Sequence, residues 1–216
     1  MNKKYLLFDL DGTLTDPKEG ITNSVAYALR QYGIIEDPEN LVKFIGPPLH
    51  IGLMEWYDFD EAKAFEAVTH YRVYCADKGI FENAVFDGAA EMLADLRAAG
   101  HTILLATSKP EVYAKQILEH FELSQYFDHI CGATLDGSRS LKADVVTYAL
   151  QTGGITDPTE AVMIGDRHHD IEGGIKNGLE TVGVLFGYGS REELAEAGAH
   201  HIVATMEELH ALLKGE

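Results

Sequence analysis

Short apolar runs alternate with amphipathic stretches along most of the chain. Apolar runs of this length are typical of strands buried on both faces of a sheet, and i, i+3, i+4, i+7 spacing is typical of helices. The runs predict strands over residues 5–8, 102–107, 161–164 and 181–185, with a weaker candidate at 129–132. Helical spacing occurs at Ala89, Met92, Leu93 and Leu96, and again at Ala114, Ile117, Leu118 and Phe121.

The alternation of strands and helices predicts the fold class. Such βαβ units build a parallel sheet with right-handed crossovers. We therefore expect an α/β protein whose core is a doubly wound, Rossmann-like parallel sheet. Residues 190–216 are expected to add a helix, a short strand around 202–203 and a closing helix.

One interval breaks this rhythm. Roughly seventy residues separate the first strand from the helix at Ala89, which is more than one crossover needs. Apolar positions in this interval follow helical spacing around residues 21–32 and 64–75, with no clear strand between them. We predict an inserted all-helical domain over residues 15–85 and an α/β core over 1–14 and 86–216. Residues 45–48, Ile-Gly-Pro-Pro, are expected to form a rigid loop inside the insertion.

Acidic residues follow the first predicted strand. Asp9 comes directly after the apolar run, and Gly12 allows the chain to turn sharply after Asp11. Open α/β sheets bind ligands outside the carboxyl ends of their strands. In isolation, an Asp-x-Asp-Gly sequence is more often a simple cap and turn.

A second acidic cluster, Asp166 to Asp170, follows another apolar strand in the same way. Asp9 and Asp166 are therefore expected to face each other, and a hard cation with oxygen ligands, Mg²⁺, would relieve their repulsion. The alternative for this cluster alone is a helix N-terminus with acids that match the macrodipole. His168 and His169 raise the question of zinc, but no Cys or further His completes a set, so solvated histidines are expected.

Two further segments offer contacts for a phosphate group. Thr107 and Ser108 close a strand ahead of a helix, where hydroxyl and backbone N–H groups favour an anion. Lys142 begins a helix, where the helix dipole disfavours a cation. This position suggests that Lys142 has an anionic partner. Lys109 and Arg139 are the other candidate cations. Each segment also has a plain alternative, a capped turn or a surface lysine.

Charge and composition exclude several classes of protein. The chain has 216 residues and a formal net charge of −18, which argues against nucleic-acid binding. Two cysteines, Cys75 and Cys131, make neither a disulfide framework nor a thiolate metal site. The first apolar run is too short for a signal peptide, and no run reaches transmembrane length. A soluble cytoplasmic protein without membrane partners is expected.

Together, these segments of the chain resemble the motifs of the haloacid dehalogenase superfamily, in particular of its phosphoglycolate-phosphatase-like branch with a helical cap. Asp-Leu-Asp-Gly-Thr at 9–13 is similar to the first motif of that family, Thr107 to the second, Lys142 to the third, and Gly165-Asp-x-x-x-Asp170 to the fourth. The segments Phe-Ile-Gly-Pro-Pro-Leu at 44–49 and Gly-Ser-Arg-Ser-Leu-Lys at 137–142 resemble a subgroup often called 5′-nucleotidase-like.

The resemblance implies roles for these residues. Asp9 would be the nucleophile that forms an aspartyl-phosphate, and Asp11 the acid that protonates the leaving oxygen and then activates water. Asp9, the backbone carbonyl of Asp11 and Asp166 would bind Mg²⁺, with Asp170 in the outer shell. Thr107 and Lys142 would hold phosphate oxygens. Gly46 and its loop would lie over the substrate, with Ser108, Lys109 and Arg139 as further substrate contacts.

The implied activity is Mg²⁺-dependent hydrolysis of a small phosphomonoester, similar to phosphoglycolate or a nucleoside 5′-monophosphate. A phosphosugar mutase of the same superfamily shares every core motif and remains an alternative. A non-enzymatic phospho-receiver module is a further alternative, although receivers lack a helical insertion after the first strand. The expected partner is a small phosphorylated metabolite, and the expected state is a monomer or small homo-oligomer.

Overall fold

The chain forms two compact units. A computed structural model describes residues 1, 3–46 and 48–215. One unit, the core unit, comprises Met1–Thr15 and Val85–Glu216, and the other, the helical unit, comprises Asp16–Ala84.

Strands and helices alternate through the core unit, whereas helices dominate the inserted unit. The strands in chain order are β1 Tyr5–Phe8, β2 Thr15–Asp16, β3 Ala84–Val85, β4 Thr102–Pro110, β5 His129–Ala133, β6 Ala161–Gly165, β7 Glu180–Val184 and β8 His201–Val203. The α-helices in chain order are α1 Lys18–Arg30, α2 Leu49–Tyr57, α3 Glu61–Tyr74, α4 Ala89–Ala98, α5 Glu111–His120, α6 Lys142–Thr152, α7 His168–Lys176, α8 Arg191–Glu196 and α9 Met206–Lys214.

A six-stranded parallel sheet forms the centre of the core unit. Its strand order is β5-β4-β1-β6-β7-β8, and β2 pairs with β3 where the chain passes from one unit to the other. The predicted α/β fold with a doubly wound parallel sheet is therefore confirmed. The order reverses at β1, and such a switch point is where open α/β sheets bind ligands.

The position of β1 determines which residues meet at the edge of the sheet. In the parallel register, Phe8 lies beside Leu105 of β4 and Ile164 of β6. The backbone N–H of Asp9 continues the ladder by donating to the carbonyl of Ile164 at 2.9 Å. Residues that follow β1, β4 and β6 are consequently neighbours at the carboxyl edge.

The central strands are buried because their apolar side chains pack against a helix. Leu7, Leu104 and Met163 are fully buried on adjacent strands and pack against Val145 and Val146 of α6. Sequence prediction found all five major strands, with ends that differ by three residues at most, because buried strands leave continuous apolar runs. β4 extends past the predicted end at Thr107 to Pro110, with an irregularity in its pairing to β5.

The helical unit has a core of its own. Its buried apolar residues include Val25, Leu29, Leu41, Leu53 and Phe59. A 3₁₀ helix, Pro38–Phe44, and a π-helical turn, Cys75–Gly79, complete the unit. Helix α2 is an element that the apolar spacing failed to predict, because its apolar residues do not fall on one clear face.

Both cysteines are buried, and no disulfide occurs in the described part of the chain. Burial raises the pKa of the Cys131 thiol to about 11, so this side chain behaves as an apolar packing residue. Among the described residues, we find no helix with the length and apolar character needed to cross a bilayer.

Candidate active site

The turn after β1 positions the first two acidic residues. Asp9 is buried, and Asp11 follows it before a tight turn in which the N–H of Gly12 donates to the carbonyl of Thr15 at 2.7 Å. Gly12 has a φ of +81°, and a Cβ atom there would lie 2.2 Å from Oδ2 of Asp166. Glycine is therefore required both for the turn and for the approach of Asp166.

The segment after β6 positions the second pair of acids. Asp166 and Asp170 are both buried, with relative exposures of 1%. Asp170 is the third residue of α7, and its Oδ2 accepts a hydrogen bond from the N–H of Arg167 at 3.1 Å. A Cβ atom on Gly165 would lie 2.2 Å from Cγ of Asp170, so a small residue is needed at the end of β6.

Three of these acids form one cluster, as expected from the parallel strands. One carboxylate oxygen each of Asp9, Asp166 and Asp170 lie within 4.8 Å of one another. Burial and the charges of Asp170 and Asp9 raise the pKa of Asp166 well above its ordinary value. Burial also raises the pKa of Asp170 to about 6, although Lys142 opposes this shift. The cluster therefore resists full ionisation unless a further cation joins Lys142 beside it.

Lys142, at the start of α6, is a buried cation beside this cluster. Its Nζ lies 2.7 Å from Oδ1 of Asp170 and 2.9 Å from Oδ1 of Asp9, and it donates to the carbonyl of Ala106 at 3.0 Å. Burial alone lowers the pKa of Lys142, but the two carboxylates outweigh burial and raise it. The misplaced cation noted in the sequence is thus a permanently charged bridge between β1 and α7.

Lys109, in the segment after Thr107, reaches the second acid of the first motif. Its Nζ lies 2.6 Å from Oδ2 of Asp11, and its backbone N–H donates to the buried hydroxyl oxygen of Thr107 at 3.2 Å. Ser108 is exposed at the same edge. The N–H of Lys109 therefore already has a partner within its own turn, so it is not one of the open N–H groups that the sequence suggested for an anion.

Arg139 makes its described contacts outside the acidic cluster, and Gly46 lies in the other unit. The Nε of Arg139 donates to the carbonyl of Gly132 at 2.9 Å, and its guanidinium lies 3.4 Å from Oε2 of Glu111 and stacks over Tyr148. These contacts tie the side chain of Arg139 to β5, α5 and α6, and its assignment to substrate stays a prediction. Gly46 belongs to the helical unit with a φ of +105°, and Pro47 of its loop lies outside the described residues.

Sequence reasoning missed the loop after β7. The backbone N–H of Tyr188 donates to Oδ2 of Asp166 at 2.8 Å. A Cβ atom on Gly187 would lie 2.4 Å from Cβ of Asp166. A Cβ atom on Gly189 would lie 1.9 Å from the backbone carbonyl oxygen of Asp166. The signal available in the sequence was the Gly-Tyr-Gly triplet shortly after a buried strand, which permits close approach of a backbone.

Comparison with known proteins agrees with this arrangement. The family model of haloacid dehalogenase-like hydrolases matches residues 6–184. The chain belongs to this family. The matched range includes all four acidic residues, Thr107 and Lys142, so the haloacid dehalogenase resemblance drawn from the motifs is confirmed.

Individual relatives match nearly the whole chain. It is 46% identical over 210 residues to a 5′-nucleotidase of Pseudomonas aeruginosa, covering 97% of the chain and 95% of the relative. It is 39% identical over 214 residues to tyrosine-protein kinase PtkA of Mycobacterium tuberculosis, covering 97% of the chain and 72% of PtkA.

A solved structure described as a predicted phosphatase from Clostridium acetobutylicum superposes with a TM-score of 0.94 at 49% identity, with complete coverage of both chains. The protein is therefore an enzyme, a phosphatase of the haloacid dehalogenase family. A non-enzymatic receiver module is excluded.

Proposed function

We propose that this phosphatase is Mg²⁺-dependent and hydrolyses a small phosphomonoester through an aspartyl-phosphate on Asp9. The observation that carries the proposal is the position of the Asp9 carboxylate. It lies at the switch point of the sheet, 2.9 Å from the ammonium of Lys142 and in one cluster with Asp166 and Asp170. A nucleophilic carboxylate needs positive charge nearby, because its substrate is also an anion. Lys142 supplies one positive charge, and a metal ion held by the cluster would supply more.

The oxygen atoms that the cluster offers as metal ligands fit Mg²⁺. Oδ1 of Asp166 and Oδ1 of Asp11 are buried oxygens without a hydrogen-bond donor among the described residues. Leaving such oxygens unpaired is costly, and hard oxygen ligands suit Mg²⁺ better than softer metals. Asp9, Asp166 and the carbonyl of Asp11 would hold the ion, with Asp170 behind them. When bound, Mg²⁺ would neutralise negative charge on the carboxylates and the substrate phosphate.

Residues of the chain would perform the two chemical steps. An oxygen of Asp9 attacks phosphorus, the bond from phosphorus to the leaving oxygen breaks, and Asp11 gives its proton to that oxygen. Asp11 then takes a proton from water, whose oxygen attacks phosphorus and releases inorganic phosphate, regenerating Asp9. Lys142 holds Asp9 in place throughout, because Asp170 and the carbonyl of Ala106 fix its ammonium.

Other side chains would contact the transferring phosphate. The buried hydroxyl of Thr107 would donate to a phosphate oxygen, as oxyanion donors do in other enzymes. Lys109 is the cation placed beside Asp11, at 2.6 Å, and it would face the phosphate or the leaving group together with exposed Ser108. Arg139 would contribute only after leaving Glu111 and Tyr148.

The proposed substrates are small phosphomonoesters similar to a nucleoside 5′-monophosphate or phosphoglycolate. The similarity to a 5′-nucleotidase supports the first of these. The insertion over residues 15–85 would act as a cap that excludes water, with Gly46 in its substrate loop. With a net charge of −18, the enzyme would not bind nucleic acid. We also propose that it acts in the cytoplasm as a monomer or small homo-oligomer, without membrane partners.

The decisive experiment measures hydrolysis of p-nitrophenyl phosphate by wild type and Asp9→Asn in saturating Mg²⁺. We expect Asp9→Asn to lose at least about 1,000-fold in kcat, because no other residue replaces the nucleophile. Asp77→Asn, a change to an exposed aspartate of the helical unit, serves as the matched control. Undiminished activity of Asp9→Asn would refute the proposal.

Substrate class is tested by phosphate release from phosphoglycolate, nucleoside 5′-monophosphates, sugar phosphates and pyrophosphate, with and without Mg²⁺. The mutase alternative is tested in the same assay with a hexose phosphate. Release of inorganic phosphate indicates a phosphatase, whereas an isomeric hexose phosphate without release indicates a mutase.

A further inference from the structure

We propose that His168, His169 and Glu172, at the start of α7, form a separate binding site for a borderline divalent transition metal such as Zn²⁺. The sequence predicts two solvated histidines here, since no Cys or further His accompanies them. The structure supplies a third ligand of another type. One ligand atom each of His168, His169 and Glu172 lie within 4.8 Å of one another.

Helical spacing explains why these side chains converge. Residues three and four apart lie on the same side of a helix, so Glu172 is a neighbour of both His169 and His168. The two imidazole rings are in contact, with centroids 3.8 Å apart. Two donors on one zinc ion, each at ~2.1 Å, are separated by at most about 4.2 Å. The three ligand atoms, all within 4.8 Å of one another, are close to this spacing.

Glu193 of α8 prepares His168 for metal binding. Its Oε1 accepts a hydrogen bond from Nδ1 of His168 at 2.8 Å, and also from the backbone N–H of His168 at 2.9 Å. Arg167 donates to the same oxygen through Nε at 2.8 Å. A proton on Nδ1 leaves the lone pair on Nε2, and a carboxylate behind a ligating histidine both orients the ring and strengthens it as a ligand.

The surroundings favour a divalent cation and give it access. An open cavity of about 510 Å³ borders His168 and Glu172 and is also lined by Glu192, Glu193 and Glu196. These carboxylates make the local potential negative, and a cavity of this size leaves room for water as the remaining ligand. Imidazole nitrogen selects Zn²⁺, Co²⁺ or Ni²⁺ over Mg²⁺, so this site and the aspartate cluster would differ in metal preference.

The two sites must be separated in the test, because Asp170 of the aspartate cluster follows His169 directly. Zn²⁺ binding is therefore measured by isothermal titration calorimetry in saturating Mg²⁺ and in the Asp9→Asn background, which impairs the aspartate cluster without changing α7. We expect one Zn²⁺ per chain in both conditions. Loss of Zn²⁺ binding in Asp9→Asn would overturn the proposal, because it would place the ion in the aspartate cluster.

Variants of the ligands identify the site. We expect the double variant His168→Gln/His169→Gln to bind Zn²⁺ at least 100-fold more weakly, and Glu172→Gln, at an exposed position, at least 10-fold more weakly. The double variant His120→Gln/His129→Gln removes two histidines elsewhere and should bind Zn²⁺ as wild type does. Wild-type affinity in the first double variant, or an equal loss in the control, would overturn the proposal.

A second readout tests the role assigned to Glu193 as a positioning residue. Nitrogen chemical shifts of the imidazoles report which ring nitrogen binds the metal. We expect Zn²⁺ to shift Nε2 of His168, and Glu193→Gln to weaken binding by about 10-fold. Coordination through Nδ1 of His168, or unchanged affinity in Glu193→Gln with intact circular dichroism, would contradict this arrangement.

Discussion

The Nζ atom of Lys142 lies 2.9 Å from Oδ1 of Asp9, inside the core unit. This pair joins the first turn of α6 to the residue that follows β1. The same ammonium pairs with Oδ1 of Asp170 at 2.7 Å and donates a hydrogen bond to the carbonyl of Ala106 at 3.0 Å. The position of the proposed nucleophile therefore depends on a cation that contacts three separate elements of the core unit.

Replacement of Lys142 by Met should lower both stability and activity. Breaking a buried ion pair leaves Asp9 and Asp170 facing each other without a cation, which costs about 3 kcal/mol of unfolding free energy. Phosphatase kcat should fall by roughly 100-fold or more, because the ammonium no longer holds Asp9 in position for attack on phosphorus. Urea unfolding without metal and p-nitrophenyl phosphate hydrolysis with Mg²⁺ measure the two effects. Lys176→Met, on the exposed side of α7, should change neither.

Replacement of Gly12 by Ala should disturb Asp166 directly. At a φ of +81°, an alanine pays roughly 1–2 kcal/mol in backbone strain. The added Cβ would also lie 2.2 Å from Oδ2 of Asp166, so that carboxylate must move. We expect weaker Mg²⁺ activation and at least about 10-fold lower kcat.

Gly100→Ala is the matched control for this effect. Gly100 has a φ of +93°, but no atom lies within 4 Å of the position of its added Cβ. It should lose stability by a similar amount and keep its activity. Equal kinetic losses in both variants would show that backbone strain, rather than contact with Asp166, is responsible.

Replacement of Asp11 by Asn should separate the two chemical steps. p-Nitrophenol is a good leaving group that needs no proton, so Asp9 should still become phosphorylated. The second step lacks its base, and the aspartyl-phosphate should accumulate. Rapid-quench kinetics should show a burst of one p-nitrophenol per chain followed by slow turnover. Asp9→Asn should show no burst, and full steady-state activity of Asp11→Asn would contradict the assigned role.

The stability of the metal-free enzyme should fall as the pH rises from about 4 to about 6. In this range the unfolded carboxyls have lost their protons, with a pKa near 3.9, whereas native Asp170, with its pKa raised to about 6, retains its proton. The unfolded state then binds fewer protons than the native state, which gives stability a negative slope with pH. Thermal unfolding in EDTA across this range measures the slope.

Replacement of Asp166 by Asn should reduce that slope. The variant removes one of the carboxylates that crowd the cluster, and Asn can still accept the hydrogen bond from Tyr188. At pH 7 in EDTA we expect the variant to be more stable than wild type by about 1 kcal/mol. Saturating Mg²⁺ should remove this advantage by stabilising only the wild type. A variant that is less stable than wild type in EDTA would show that the buried carboxylates do not repel.

Much of the fold and of the acidic cluster followed from the sequence by itself. Buried parallel strands leave continuous apolar runs, and parallel strands bring their carboxyl ends to one edge, so Asp9 and Asp166 could be expected to meet. Helix α2 escaped prediction because Gly52, which packs against Phe44 and Trp56, interrupts any simple apolar face. Local patterns reveal elements when burial is periodic, and they fail when packing is irregular.

The partners of the charged groups were decided only by the tertiary structure. Lys109 reaches Asp11 across 98 positions of the chain, Arg139 turns to Glu111 instead, and the backbone of Tyr188 holds Asp166. Each of these contacts depends on where long side chains and loops lie after the strands have assembled. Short-range periodicity in the sequence determines which residues reach the edge of the sheet. Ion pairs form between elements that are distant in the chain, so their geometry is determined only when those elements pack together.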